Sequence, residues 1–134
     1  MASSRVANKL PTGFGAILLA VVPSVNLNLG TNVDVFVPFP DTPTKYRVRA
    51  IAMTNGSINP TTARFTINTG PLVSGTQIVS TVTPSLSSSA VVQDLTIAST
   101  NAISSNPFLY INIGTPQGAA ATVDIYIYGD ILTA

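Results

Sequence analysis

"GAAATVDIYIYGD", residues 118–130, is the stretch that decides the fold. Its three alanines favour helix, but the residues after them alternate. On an extended backbone Val123, Ile125 and Ile127 share one face, while Asp124, Tyr126 and Tyr128 share the other. The segment therefore reads as an amphipathic strand with tyrosines on its second face. The alanines read as a small-residue lead into it, placed where backbones approach closely.

The same period of two recurs along the chain. Val33, Val35 and Val37 alternate with Asp34 and Phe36, and Phe65 and Ile67 alternate with Arg64, Thr66 and Asn68. Leu109, Ile111 and Ile113 alternate with Phe108, Tyr110 and Asn112, and Val91, Gln93, Leu95 and Ile97 form a less clean row. With Lys45–Thr54, Thr76–Val82 and Thr122–Leu132 these make seven strands, and Ala16–Val22, ended by Pro23, makes an eighth. Between them lie "PFPDTPT", "TNGSINPTT", "NTGPLVSGT", "TPSLSSS", "SSNP" and "GTPQG", whose Gly and Pro leave little room for helices. Short strands at this spacing predict an all-β fold. The expectation is an antiparallel two-sheet sandwich, a jelly roll of about eight strands, with a seven-stranded immunoglobulin-like sandwich as the alternative. Residues 1–12 read as an extended N-terminal arm and residues 13–134 as one β-sandwich domain.

Composition narrows the function. Charged residues are 8% of the 134 and hydrophobic residues 46%, and nearly a third of the chain is Ser, Thr or Asn. No apolar run approaches the roughly 20 residues of a spanning helix, so no membrane partner is expected. Arg5 and Lys9 before "FGAILLAVV" resemble a signal peptide, but glycines break the run and no A-x-A pattern follows; an arm leading into a first buried strand is preferred. The net charge of +1 offers no general attraction for nucleic acid.

The chain has no Cys, His or Glu. Acid–base and nucleophilic chemistry is left with five Asp, two Lys, four Tyr and hydroxyls, so no catalytic residue is assigned and an enzyme is not expected. "DTP" at Asp41–Pro43 departs from an aspartic-protease triplet in its third residue and has no second copy. A Ser–Lys dyad would need Lys9 or Lys45. No cofactor or metal site is assigned: zinc lacks imidazole and thiolate, and Asn28, Asn32 and Asp34 lack the spacing of a calcium loop. "GFG" at Gly13–Gly15 is no phosphate cradle. "NGS" at Asn55–Ser57 matches a glycosylation sequon but reads as a turn.

Surface remains. Lys45, Arg47 and Arg49 hold half the positive charge and alternate with Tyr46, Val48 and Ala50, so they share a strand face. They could dock an acidic protein surface or a phosphate backbone; the plainer reading is a solvated or edge-protecting face with cross-strand Asp partners. Tyr110, Tyr126 and Tyr128, with Phe108, are interface-type side chains. A mean hydropathy of +0.43 suits a chain that covers apolar faces by assembly, where about 800 Å² per partner is the usual scale.

Three segments, "YRVRAIAMTNGSINPTTARFTINTG", "GTQIVS" and "FLYINIGTPQGAAATVDIYIYGDIL", carry a family resemblance. They resemble small head-associated virion proteins of tailed bacteriophages, in which a strand ends in T-N-A/G-S, an L-T-T-A run follows, and the chain closes on T-x-Q-G-A-A-A-T-x-D-I-Y-I-Y-G-D. Here the matching elements are Thr54–Ser57, Pro60–Ala63 and Thr115–Asp130, and the resemblance spans Tyr46 to Leu132, about two thirds of the chain. It implies a jelly-roll capsid decoration or cement protein, with no catalytic residues to carry over. The implied partner is the major capsid protein, bridged from outside, with a homo-oligomer (dimer or trimer) and no direct nucleic acid contact. The implied location is the capsid exterior of the virion, after synthesis in the bacterial cytoplasm. A fibre, collar or tail-tip domain contacting another virion protein or a host glycan is the alternative, and an Asp-pair hydrolase is the third reading.

Overall fold

The computed structural model describes residues 17–39, 45–86, 91–98, 103–106 and 108–133, except the side chain of Thr133. The expected arm over residues 1–12, Lys9 and the Asp41–Pro43 triplet lie outside the described residues.

The alternating segments form eight strands: β1 Ile17–Asn26, β2 Val33–Pro38, β3 Lys45–Thr54, β4 Arg64–Gly70, β5 Ser74–Val82, β6 Val92–Leu95, β7 Phe108–Thr115 and β8 Thr122–Thr133. They pair antiparallel in two sheets, ordered β1-β8-β3-β6 and β2-β7-β4-β5. Only the β4–β5 connection stays within one sheet; every other connection crosses to the opposite one. That order is a jelly roll, and it excludes the seven-stranded alternative.

β8 is the inner strand of its sheet, held by β1 on one side and β3 on the other. Val123, Ile125 and Ile127 are fully buried, with Asp124, Tyr126 and Tyr128 half-buried on the outer face, as the alternation predicts. They pack in one continuous core with Ile111 and Ile113 of β7, Phe65 and Ile67 of β4, and Ile51 and Met53 of β3. Complete burial of such side chains stabilises by about 1.5–3 kcal/mol each. These rows, drawn from both sheets, hold the sandwich together.

The structure departs from the sequence pattern at three places, each with a local cause. β1 continues beyond Pro23 to Asn26 instead of ending there. Proline is tolerated because β1 is an edge strand, and the register shifts between Val22 and Val25 around Ser24, whose φ is 52°. Ala50 does not share the inward face of Tyr46 and Val48. Val48 pairs with Gly129 and Ala50 with Tyr128, so β3 advances two residues while β8 advances one. This bulge reverses the phase: Ile51 and Met53 turn inward, and Ala50 faces outward with Ala52. In β6 only Val92–Leu95 pairs as a strand, leaving Val91 and Ile97 outside it.

The alanine lead into β8 is only partly a close approach. Ala119 and Ala120 are exposed, whereas Ala121 is buried and its carbonyl accepts the Leu27 N–H at 2.9 Å. The hub of this loop end is Gln117. Its Oε1 accepts from the N–H groups of Thr62 (3.0 Å) and Ala63 (2.9 Å), while its own N–H donates to the Leu27 carbonyl at 2.9 Å. Gln117 thus ties the β1–β2, β3–β4 and β7–β8 loops together. Asn55 of the Asn55–Ser57 triplet has a positive φ of 57°, as in a turn, and its Nδ2 donates to Asp124 Oδ2 at 3.0 Å.

Gly129 sits beside the β3 bulge with no space for a side chain. A Cβ there would collide with the Arg47 carbonyl and lie 2.8 Å from Leu19 Cδ1. Gly129→Ala is therefore expected to destabilise the fold by about 3 kcal/mol and lower Tm by about 10 °C. Gly114→Ala, whose Cβ would meet nothing nearer than the Arg64 carbonyl at 3.8 Å, is the matched control. Equal Tm values for the two variants in thermal denaturation would contradict this account.

Candidate functional site

Strand edges and sheet faces are the two surfaces a sandwich can offer. The edges here are poor templates for another strand. β1 carries Pro23 and two register shifts, β2 has six residues and ends on Pro38, β5 shifts register three times, and β6 has four residues. The outer faces are different.

On the β8 sheet, register places Leu18 beside Tyr128 and Val21 beside Tyr126. On the other flank Ala50 pairs with Tyr128 and Ala52 with Tyr126. Leu18 and Val21 are 46% and 40% exposed. At one end of this belt lie the basic residues of β3. Arg47 donates to Asp130 Oδ2 through Nη2 at 2.7 Å and Nε at 3.2 Å, and Arg49 Nη1 donates to Asp130 Oδ1 at 3.2 Å. One carboxylate thus joins two arginines, and the hydrogen bond from Arg47 does most to hold its pKa below the usual carboxylate range. Lys45 is exposed, and no ion pair to it occurs among the described residues. At the other end Asp124 accepts from the Ser24 N–H through Oδ1 (2.8 Å) and from Asn55 through Oδ2.

On the β7 sheet the outer face is aromatic. Phe36 is 59% exposed, stacks on Phe108 at a centroid distance of 5.7 Å and meets Tyr110 edge-on at 5.1 Å. Beside it the β4–β5 turn reaches across to β2, where the Leu72 N–H donates to Asp34 Oδ2 at 2.9 Å. Leu72 and Val73 are both exposed and hold positive φ, 51° and 63°, a strained conformation for a β-branched residue such as Val73. Thr66, Asn68 and Asn112 point away from the core yet are buried. The Asn112 amide donates to Asn32 Oδ1 (3.0 Å) and Asp34 Oδ1 (2.9 Å), while Asn28 Oδ1 accepts from the Gly118 N–H. The three residues weighed for calcium thus turn oxygens toward N–H donors.

The six residues singled out from sequence therefore do not form one site. Lys45, Arg47, Arg49, Tyr126 and Tyr128 share the outer face of the β8 sheet, whereas Tyr110 belongs to the β7 sheet. Asp130, Phe36, Leu18 and Val21 complete the two faces and were not singled out. Asp130 had a visible signal, since it continues the 124–126–128 row.

An open cleft of about 540 Å³ lies at the loop end, lined by Thr54, Asn55, Gly56, Ile58, Asn59, Leu86 and Val91. None of these is aromatic or charged. Among the described residues no group of three or more acidic side chains could hold a metal ion, and no helix is long and apolar enough to cross a membrane. The fold defines an eight-stranded jelly roll with two apolar outer faces. No family model, curated protein or solved structure matches the chain.

The shared carboxylate predicts a pH signature. A depressed pKa means that Asp130 stabilises the fold above the unfolded carboxylate pKa, and that this contribution is lost as pH falls through the folded value. Asp130→Asn should cost about 1 kcal/mol at neutral pH and low salt, and nothing at acid pH where the wild-type carboxyl is protonated. Urea titrations of both proteins across pH give the comparison; a difference independent of pH would rule out the charge-based account.

Proposed function

We propose that this chain is a structural virion protein of a tailed bacteriophage, one that decorates and cements the capsid by bridging major capsid protein subunits. The observation that carries the reading is the exposure of large apolar side chains on both outer faces of the sandwich. A cement must bind on more than one side, and here Tyr126 and Tyr128 mark one face while Phe36, Phe108 and Tyr110 mark the other. Rigid aromatic rings give large contact area at little ordering cost. Three of the five Asp, the residue type on which a hydrolase would depend, are engaged in internal contacts: Asp34 with Asn112 and Leu72, Asp124 with Ser24 and Asn55, Asp130 with the arginines.

The sequence resemblance in Thr54–Ser57, Pro60–Ala63 and Thr115–Asp130 supports the same reading. The structure gives the third of these a physical role, because Gln117 and Ala121 join loops and Gly129 permits the β3–β8 approach. Binding across subunit joints would offset the pressure of packaged DNA on the shell. The protein would then sit on the exterior of the virion after synthesis in the host cytoplasm.

A fibre, collar or tail-tip domain is the second reading, favoured by the hydroxyl- and amide-bearing cleft at Thr54, Asn55 and Asn59. The two differ in stoichiometry. Quantitative staining of purified particles is expected to give copies comparable to the major capsid protein, with heads that rupture more easily when the protein is absent. Only a few copies per particle, or lost adsorption with heads of normal strength, would overturn the cement role. Lys45 and the arginines should also make attachment salt-sensitive, and attachment unchanged from low to high salt would remove them from the contact.

A further inference from the structure

We infer that the β4–β5 turn is a hinged strap, latched by the Asp34 carboxylate, that opens to uncover a polar strip on the outer face of the β7 sheet. Its path is the first observation. β7 lies between β4 and β2, yet the Leu72 N–H of the turn donates to Asp34 Oδ2 of β2 at 2.9 Å. The other oxygen of Asp34 accepts from Asn112, which points outward from β7. The turn therefore reaches Asp34 across the outer side of β7. Thr66 and Asn68 of β4 pair with Asn112 and Tyr110 of β7 in the same region, and Thr66, Asn68 and Asn112 are buried although they face outward. The turn is the described segment that crosses there to cover them.

The balance of forces is the second observation. Among the described residues a single hydrogen bond, from Leu72 to Asp34, joins the tip of the turn to β2. The Pro71 carbonyl accepts from the Ser74 N–H at 3.2 Å and from Ser74 Oγ at 2.6 Å, and Thr69 Oγ1 accepts from the Thr76 N–H at 2.8 Å. Those bonds lie within the hairpin and travel with it. Leu72 and Val73 stay exposed, so the tip gains little from apolar burial. Two costs stand against the latch. Leu72 and Val73 both hold left-handed φ, a conformation that bulky side chains resist and that concentrates at switch segments. Beneath the cover Thr66 Oγ1 and Asn68 Oδ1 have no hydrogen-bond partner, and lifting the turn returns both to water. A closed state held by one exposed bond against these costs lies close in free energy to an open one.

The hinges are visible as well. Gly70 and Gly75 flank the tip, Gly75 with a φ of 72°, and β5 shifts register three times against β4. The tip can swing without breaking a regular ladder. Opening changes the chemistry of the face. Closed, it offers the rings of Phe36, Phe108 and Tyr110; open, it adds the Thr66 hydroxyl and the amides of Asn68 and Asn112 beside them. The strap is a property of the chain by itself and does not depend on the virion role.

Thiol labelling tests it, because the chain has no cysteine and one introduced thiol reports the cover alone. Thr66→Cys in the full chain is expected to react with N-ethylmaleimide at least about tenfold more slowly than free cysteine. The rate should stay flat up to about 1 M urea, since a local opening exposes little surface, whereas global unfolding would raise it about tenfold. Adding Asp34→Ala should speed labelling at least about tenfold, and adding Val73→Gly, which relieves strain and keeps the latch, should slow it about threefold. A rate equal to that of free cysteine, a rate that climbs with urea, no acceleration by Asp34→Ala, or a Val73→Gly rate that is not lower would each overturn the strap. Should circular dichroism show that Thr66→Cys or Asp34→Ala does not fold, hydrogen exchange of the Leu72 amide in wild type and Val73→Gly decides. Urea-independent exchange that Val73→Gly slows supports the strap, and exchange that rises with urea overturns it. Failure here leaves the cement role standing, and a low copy number on particles leaves the strap standing.

Discussion

The insertion of β8 between β1 and β3 is the constraint on which the rest of the structure depends. Both neighbours pair with this strand along most of their length, and its three fully buried side chains fill the centre of the core. The approach is so close that position 129 admits only glycine, and β3 must bulge beside it. β1 and β8 lie about a hundred residues apart, so their pairing closes a long loop, an entropic cost that the buried rows must offset. The carboxylates on the outer side of β8 serve the same closure. Asp124 holds β1 and the β3–β4 turn, and Asp130 holds the two arginines of β3.

The bulge also shapes the surface. Without it Ala50 and Ala52 would both point into the core, and the outer face of β3 would carry Ile51 and Met53 beside the two tyrosines. The extra residue puts both Ala50 and Ala52 outside, and it brings Arg49 together with Arg47 at the same carboxylate. One irregularity in pairing therefore leaves small side chains beside Tyr126 and Tyr128 and concentrates positive charge at one end of that face. The blunted edges act in the same direction, because strands interrupted by proline, bulges or shortness do not recruit partners through the main chain. The sheet faces are the more open surfaces of the sandwich.

The two faces differ in chemistry as well as in position. The β8 face carries charge of opposite sign at its two ends around an apolar belt. The β7 face is an aromatic cluster next to a strained turn, pinned by Asp34. A chain with so few charges puts most of those that the structure describes to structural use, and its remaining surface is available for apolar contact. That division suits a part that touches more than one neighbour.

Strand content was legible in the sequence because a half-buried strand must alternate, and the rows of β2, β3, β4, β7 and β8 do so over enough residues to be read. The lack of Cys, His and Glu likewise limits the available chemistry from the sequence alone. Alternation is a local property, however, and a bulge is a relation between two strands. The outward turn of Ala50 and the passage of β1 through Pro23 were therefore settled only by pairing. The same holds for Tyr110, which alternates like Tyr126 and Tyr128 but lies on the other sheet, because period two assigns a side of a strand and never a sheet. Gln117 shows the limit most plainly: a polar residue in a loop looks solvated in sequence, and only the meeting of three loops makes its amide a hub.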